Sequence, residues 1–322
     1  MNLSELNPRK VMVAGDWHRN QRWGPAAVHA GCAALGKQHP KIVLQLGDFG
    51  IWDGEWGARY LRVLNEALAK EDAWLVFIDG NHEDFNVLGK LRESTSGDLI
   101  QIKGRIWWAT RGSRWEWQGK TWLALGGAVS PDAATRRQGY SWFPEEEISP
   151  VDTAKTILGG TADVMLTHDC PSGVHHAFDP PPPWWDSRDL ARSDRHRERL
   201  QGICELVRPS LLLHGHLHRA YARTGDFGWG SCEITGLDMD GTKGNWVILD
   251  TQTLTWAVPG EPDYPPVRGQ VWDWNGVKCV VTRVARDGSW ADFRCYSGDT
   301  WSKRMKLPLP GGWHLTDEYV AP

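Results

Sequence analysis

Histidine and carboxylate side chains recur along this 322-residue sequence, each time directly after a short apolar run. The clearest case is Leu211-Leu-Leu-His-Gly-His-Leu-His218, which predicts a buried strand over residues 211–218. On an extended backbone His216 and His218 point to the same side, because they are two positions apart. Two imidazoles held side by side at a strand end are typical of a metal site.

Four further apolar runs end in the same manner. The polar residues that follow them are Asp16 and His18, Asp48, Asn81 and His82, and His168. Oxygen and imidazole donors without cysteine suit Mn, Fe, Zn, Co or Ni, and not a structural zinc bound by cysteines. A single histidine more often has a structural role, but five strand ends with the same donor types favour one shared metal site.

The elements that must position these residues follow from hydrophobic periodicity. Residues 10–14, 42–46 and 74–78 are predicted strands, and helical patterns over residues 25–37 and 55–70 lie between them. This alternation predicts a mostly parallel sheet with crossover helices. In such sheets, ligands bind outside the carboxyl ends of the strands, where the polar residues occur.

The remainder of the chain changes character. Residues 99–125 contain short strand-like runs separated by glycine, which predict antiparallel hairpins. Residues 187–207 predict a charged helix whose face at residues 193–199 is solvated, with His196 at the surface. Three prolines within residues 260–268 indicate a linker, placed at residues 259–268, between a domain of residues 1–258 and a small barrel-like β domain of residues 269–322.

Composition limits the classes of function. The formal net charge is -4, which does not indicate bulk attraction to nucleic acid or to an anionic membrane. Apolar runs of signal-peptide or transmembrane length are absent from the sequence. The six scattered cysteines form no C-x-x-C pair, so we expect reduced thiols and a cytoplasmic protein. The 21 tryptophans are interpreted as packing residues more than as stacking surfaces.

Taken together, the strand-end motifs resemble the signature of the calcineurin-like metallophosphoesterase family. The motifs are Asp16-Trp-His18, Gly47-Asp48, Gly80-Asn-His-Glu83, His168 and Gly215-His-Leu-His218. They occur in the order of that family and span most of residues 10–250. The resemblance implies an α/β fold, a four-layer αββα sandwich with two divalent metal ions at its centre. Manganese is favoured, with Fe, Zn, Ni, Co and Mg as alternatives.

The same resemblance implies a role for each residue. One ion would be held by Asp16, His18, Asp48 and His218, and the other by Asp48, Asn81, His168 and His216. Asp48 would bridge the two ions, and a hydroxide between them would attack phosphorus. His82 would be the catalytic histidine outside the coordination sphere, where it would protonate the leaving alkoxide or stabilise charge at phosphorus.

One position departs from the family pattern. Many members have an aspartate that orients the catalytic histidine, and here Ile51 occupies that place. Either Asp53 substitutes for it, or Asp79 or Glu83 orients His82, or His82 is less activated than in those members. His214 lies on the predicted strand but has no ligand role in the family pattern, so it is interpreted as a packing or supporting residue.

Substrate contacts are predicted only in outline. Arg136 and Arg137 follow Gly126-Gly127 and are candidates for binding a substrate phosphate, with a solvated loop as the alternative. The predicted activity is hydrolysis of phosphate mono- or diesters, with a nucleotide or nucleic acid favoured as partner and no membrane. A phosphoprotein phosphatase and a non-catalytic binding scaffold are the alternatives. The oligomeric state stays open.

Overall fold

The structure is a computed structural model that describes residues 1–175, 185–257, 270–274, 277–284, 290–297, 299–306 and 313–319. Its strands are β1 (Lys10–Ala14), β2 (Lys41–Gln45), β3 (Ala73–Phe77), β4 (Leu99–Lys103), β5 (Ile106–Ala109), β6 (Ser113–Trp117), β7 (Lys120–Leu125), β8 (Val164–Thr167), β9 (Leu211–His214), β10 (Tyr221–Asp226), β11 (Ser231–Gly236), β12 (Trp246–Asp250), β13 (Trp256–Ala257), β14 (Gln270–Trp274), β15 (Val277–Val284), β16 (Trp290–Ser297), β17 (Asp299–Lys306) and β18 (Trp313–Tyr319). Its α-helices are α1 (Leu3–Leu6), α2 (Trp23–Leu35), α3 (Gly54–Lys70), α4 (Phe85–Ser94), α5 (Pro150–Leu158), α6 (Ser172–His175) and α7 (Ser187–Val207).

Two sheets rich in parallel strands form the body of the protein. Among the described residues, the first has seven strands in the order β13-β12-β1-β2-β3-β5-β4, and the second has six in the order β10-β11-β9-β8-β7-β6. Strands β1, β2, β3 and β5 are parallel, and so are β7, β8, β9 and β11. The predicted alternation of strands and crossover helices is therefore confirmed in the first third of the chain.

The layers follow from the alternation of side chains along each strand. Val13 and Leu213 point into a core between the two sheets. Met12, next to Val13, points the other way and packs with residues of α2 and α3. Leu212 likewise packs with Leu200 of α7 on the outer face of the second sheet. The predicted four-layer αββα sandwich is confirmed.

Strand β9 is shorter than predicted, because it ends at His214. The chain turns at Gly215, where a Cβ atom would lie 2.1 Å from Asp16 Oδ1. His216 and His218 then have φ values of 64° and 49°, in the left-handed region. The prediction of an extended backbone here was therefore wrong, and the two imidazoles do not share one strand face.

A five-stranded antiparallel sheet in the order β17-β16-β15-β14-β18 follows among the described C-terminal residues. Cys279 and Cys295 lie directly opposite each other on β15 and β16 and form a disulfide. The expectation that all six cysteines are reduced is wrong for this pair. The domain boundaries at residues 258 and 269 stay predictions, and the predicted linker of residues 259–268 lies outside the described residues.

Helix α7 also differs from the sequence prediction. His196 and Arg197, expected on a solvated face, are 1% and 5% exposed. Both lie near the buried Asp169 carboxylate, at 3.4 Å from His196 Nδ1 and 3.8 Å from Arg197 Nη1. A buried carboxylate requires such partners, which explains the burial of these charged residues. Within the described part of the chain, none of the helices has the length and apolarity needed to cross a membrane.

Candidate metal centre

The polar residues that follow the strands meet at one edge of the sandwich. Asp16 and His18 follow β1, Asp48 follows β2, Asn81 and His82 follow β3, His168 follows β8, and His216 and His218 follow β9. The carboxyl ends of parallel strands lie at the same edge of a sheet, and here the edges of both sheets face each other. The side chains form two groups that share Asp48.

The outer group consists of Asp16, His18, Asp48 and His218, whose donor atoms all lie within 4.8 Å of one another. His218 Nε2 is 3.0 Å from Asp16 Oδ2, and His18 Nε2 is 3.4 Å from Asp48 Oδ2. The two carboxylates are buried, whereas the side chains of His18 and His218 are 26% and 39% exposed. This group therefore opens to solvent through its imidazoles.

The inner group consists of Asp48, Asn81, His168 and His216. Donor atoms of Asp48, His168 and His216 lie within 4.8 Å of one another. His168 Nε2 is 3.2 Å from both Asp48 Oδ1 and Asn81 Oδ1. His168 and Asn81 are 0% and 3% exposed. His168 Nδ1 donates to the main-chain oxygen of Leu46 at 2.6 Å, which leaves Nε2 directed at the group as the nitrogen available to a metal ion.

The donor set fits divalent cations. Asp16 Oδ2 is buried and accepts no well-oriented hydrogen bond, although His218 Nε2 lies nearby. Burial raises the pKa of the Asp48 carboxyl, but His168 and His82 outweigh it and hold the pKa well below its usual value. Two ionised carboxylates and several imidazole nitrogens thus converge where water is scarce, which is the composition of an oxygen–nitrogen metal site.

The backbone around these groups is tightly constrained. Asp48 has a φ of 51° and His18 a φ of 42°, conformations that non-glycine residues rarely adopt. Gly80 is required where the ends of β2 and β3 approach each other, since a Cβ atom there would lie 2.2 Å from the main-chain nitrogen of Asp48. Strain and close approach concentrate at this site, as they do at functional sites generally.

His82 lies beside the groups, and its ring contacts an arginine. Arg136 Nη2 is 3.1 Å from His82 Nε2. Because a guanidinium can only donate, His82 Nε2 accepts this bond and carries no proton in this state. Burial lowers the pKa of His82, the Asp48 charge opposes this, and Arg136 lowers the pKa further. Arg136 is also 2.9 Å from Asp132 Oδ1.

None of the three residues considered for orienting His82 contacts its ring. Asp53 caps helix α3 by accepting from the main-chain nitrogen of Gly54. Asp79 accepts from Trp108 and Arg111. Glu83 accepts from three main-chain nitrogens of residues 49–51, which places it under the loop after β2. The ring instead contacts Arg136, so the alternatives Asp53, Asp79 and Glu83 were wrong, and a less activated His82 stays a prediction.

The two candidate phosphate-binding arginines are separated. Arg136 reaches His82, while Arg137 is exposed and lies over the ring of Tyr140 at 5.7 Å. His214 is absent from both metal-binding groups of the described residues and exchanges hydrogen bonds with Gly215 O and the Tyr221 hydroxyl. It is a buried supporting residue, as its sequence position indicated.

Three supporting residues were missed by sequence reasoning. Asp240 Oδ1 is 2.9 Å from His18 Nδ1, and Ser130 Oγ accepts from Asn81 Nδ2 at 3.1 Å. Glu146 in turn accepts from the Ser130 hydroxyl at 2.7 Å. Asp240 follows β11, which is parallel to β9, so the strand-end rule that found the other residues also applies to it. Ser130 lies in an irregular segment and Glu146 at the end of a short 3-10 helix, Pro144–Glu146, and no such rule exists for either.

Comparison with known proteins identifies the family. A family model described as calcineurin-like phosphoesterase matches residues 9–220. The fold was also compared with solved structures, and one of the matches is described as the crystal structure of TT1561 of Thermus thermophilus. That match has 11% sequence identity and a TM-score of 0.48, and it covers 77% of this chain and 97% of the other. No curated protein sequence matched. Because the family model covers well over half of the chain, the protein belongs to the calcineurin-like phosphoesterase family.

Proposed function

We propose that this protein is a phosphoesterase that uses two divalent metal ions, one in the outer group and one in the inner group. The observation that supports this best is the sharing of Asp48, whose two oxygens lie toward different groups. Asp48 Oδ2 is 3.4 Å from His18 Nε2, and Asp48 Oδ1 is 3.2 Å from His168 Nε2. A carboxylate with this arrangement can hold two cations close together against their mutual repulsion.

The donor atoms favour a first-row divalent metal. Carboxylate, amide and imidazole donors suit manganese, and Fe, Zn, Ni, Co and Mg are the alternatives. When bound, such a pair of ions polarises a phosphoryl group and lowers the pKa of a water molecule, so that hydroxide is available to attack phosphorus at neutral pH. The catalytic task left to the protein is to position the ester and to stabilise the leaving oxygen.

His82 and Arg136 are the groups proposed for that task. Arg136 brings a permanent positive charge beside the His82 ring. At this position it could form an ion pair with the phosphate group of a substrate. A substrate oxygen that accepts from Arg136 would release His82 Nε2 from its present bond. His82 Nε2 could then take up a proton from solvent and donate it to the leaving oxygen, which returns the imidazole to its neutral form and is the role proposed for it.

For the substrate we favour a nucleotide or a nucleic-acid phosphoester, either mono- or diester. Trp52 supports this choice, since its indole nitrogen donates to the main-chain oxygen of His82 at 3.0 Å. Arg19 lies over the same indole ring at 5.5 Å. A half-buried aromatic ring with an arginine beside it is a surface on which a base can stack.

The cytoplasmic location stays a prediction.

The proposed activity can be tested with p-nitrophenyl phosphate and its bis ester, in the chelated protein and after Mn²⁺ is restored. We expect turnover only with the metal. If the monoester alone is hydrolysed, the diester assignment fails. If neither ester is hydrolysed and no metal binds, a non-catalytic scaffold on this fold is the better interpretation.

His82→Ala tests the second half of the proposal. The variant should keep both ions and lose rate by about 10²–10⁴-fold, most strongly for esters with alkyl leaving groups. Asp53→Asn is a matched control, because asparagine caps a helix as well as aspartate does and Asp53 is exposed. An equal loss with p-nitrophenolate and alkyl leaving groups would show that His82 is not a proton donor.

A further inference from the structure

The segment of residues 237–245 connects β11 to β12 and lies against the end of β1, although it is outside the residues that the family model matches. The buried Asn245 holds this segment against the end of β1 through hydrogen bonds. Its side-chain nitrogen donates to Asp16 O at 3.1 Å and to Asp238 O at 2.7 Å. Its side-chain oxygen accepts from the indoles of Trp17 and Trp23 at 3.1 and 2.6 Å.

Gly15 gives independent evidence for this close contact. The Gly15 nitrogen donates to Asn245 O at 2.7 Å. A Cβ atom at Gly15 would lie 2.3 Å from Asp238 O, so a larger residue would force the segment away. The segment is thus held directly beside the motif that begins with Asp16.

The fastened segment brings one carboxylate to the metal centre. Asp240 Oδ1 is 2.9 Å from His18 Nδ1, and Asp240 Oδ2 accepts from Asn20 Nδ2 at 2.6 Å. Asn20 is itself fixed, because its side-chain oxygen accepts from the main-chain nitrogen of Trp23 at 3.0 Å. The Asp240 side chain is only 16% exposed. Both of its oxygens therefore have defined partners.

This geometry determines the state of His18. A carboxylate can only accept, so His18 Nδ1 carries the ring proton and donates it to Asp240. His18 Nε2 then faces the outer group, 3.4 Å from Asp48 Oδ2, and is the nitrogen left to bind a metal ion. A carboxylate on the far nitrogen of a ligating histidine fixes its tautomer and orientation and increases its basicity.

We propose that Asp240 is a positioning residue for His18 and, through it, for the ion of the outer group. The inference rests on the proposed function in one respect, namely that His18 binds a metal. It extends the metal centre to a segment more than 200 residues away in the chain. The inner group has no equivalent side chain on His168, which is held by the main-chain oxygen of Leu46.

Titration of the chelated full-length protein with Mn²⁺ alone tests this role, in Asp240→Ala and Asp240→Asn and with Asp53→Asn as the control. We expect the unmodified protein and the control to bind two ions. Asp240→Ala should bind one of the two about 10–100-fold more weakly and the other unchanged. Asp240→Asn keeps the size and an acceptor oxygen without the charge, so its loss should be smaller. At limiting Mn²⁺, electron paramagnetic resonance should show a coupled pair of ions in the unmodified protein. In Asp240→Ala it should show the signal of a single ion.

The melting temperature of the metal-free proteins separates positioning from simple loop stability. For positioning, this temperature should change little in Asp240→Asn while one affinity falls. Equal weakening of both ions together with a lower metal-free melting temperature in both variants would overturn the inference. Two unchanged affinities in both variants would overturn the role of Asp240 alone. An unmodified protein that binds no Mn²⁺ would overturn this inference and the proposed metal centre together.

Discussion

The outer and inner groups share Asp48 but are built differently. The inner group is the more buried of the two, although His216 is partly exposed, and its His168 is oriented by the main chain, because His168 donates to Leu46 O. The outer group is open to solvent at His18 and His218, and its His18 is oriented by a side chain, Asp240, from a late segment. The difference indicates that the orientation of His168 is set by the main chain of the sandwich, whereas the orientation of His18 depends on a side chain that a single substitution can remove.

The largest expected effect comes from the residue that the two groups share. Asp48→Ala should remove a ligand from both ions and lower kcat/KM by about 10³-fold or more. Metal analysis of the purified variant, beside kcat/KM, checks this. If one full equivalent of metal stayed bound with normal affinity, Asp48 would belong to one group only, and the two sites would be independent.

Removal of metal from the unmodified protein should follow the difference in exposure. After addition of excess chelator to the Mn²⁺-loaded protein, we expect one equivalent to leave before the other, because the outer group is the more open. Timed gel filtration with metal analysis of the protein fraction measures this. In Asp240→Ala, only the equivalent that leaves first should be lost faster than from the unmodified protein. Faster loss of the second equivalent would contradict the assignment of Asp240 to the outer group.

The two histidines should also differ in their contribution to folding. In the metal-free protein His168→Ala should lower the free energy of unfolding by about 3 kcal/mol, because it removes a fully buried imidazole that lies 3.2 Å from Asp48 Oδ1 and leaves that buried carboxylate with fewer partners. His218→Ala should lower this free energy by less, about 1 kcal/mol, because the His218 side chain is 39% exposed and its removal lets water reach the Asp16 carboxylate that it contacts. Urea unfolding in the presence of chelator compares them. Equal losses would mean that burial does not distinguish the groups.

The smallest expected effect concerns Glu146, which accepts a hydrogen bond from Ser130, the residue that holds Asn81 of the inner group. Burial raises the pKa of Glu146 from 4.5 to about 7, although hydrogen bonds from Ser130 and Trp142 oppose the rise. Through this window the folded protein keeps a proton that the unfolded chain has released, so the Glu146 contribution to stability falls as pH rises. Glu146→Gln should remove this pH-dependent fall. Between pH 5 and pH 8 the free energy of unfolding of the variant should therefore rise by about 1–2 kcal/mol relative to that of the unmodified protein. Metal-free urea unfolding at the two pH values measures it, and a pH-independent difference would contradict it.

Much of the fold and of the site could be predicted from local pattern. Asp16, Asp48 and His168 each follow a short apolar run, and strand-end residues of parallel sheets meet because of the sheet topology. Contacts between residues far apart in the sequence could not be predicted from local pattern. Asp240 meets His18 only because β11 lies beside β9 and the following segment folds back over β1.

Other misses have equally specific physical causes. The charge of His196 and Arg197 predicted exposure, but both are buried beside the Asp169 carboxylate. The pairing of Cys279 with Cys295 depends on the register of β15 and β16, which cysteine spacing alone does not indicate. The left-handed backbone at His216 occurs where Gly215 approaches Asp16 closely and the His216 nitrogen donates to Asp16 Oδ1, contacts that the sequence does not indicate.

The strand order of the first sheet bears on how the protein forms during synthesis. Strand β1 lies between β2 and β12, and β12 contributes residues 246–250. Until those residues leave the ribosome, β1 presents an unpaired apolar edge, and such edges pair readily with other chains. The nascent chain must therefore reach about residue 250 before the edge is covered, and we expect chains that stop earlier to aggregate even though they carry every proposed metal ligand.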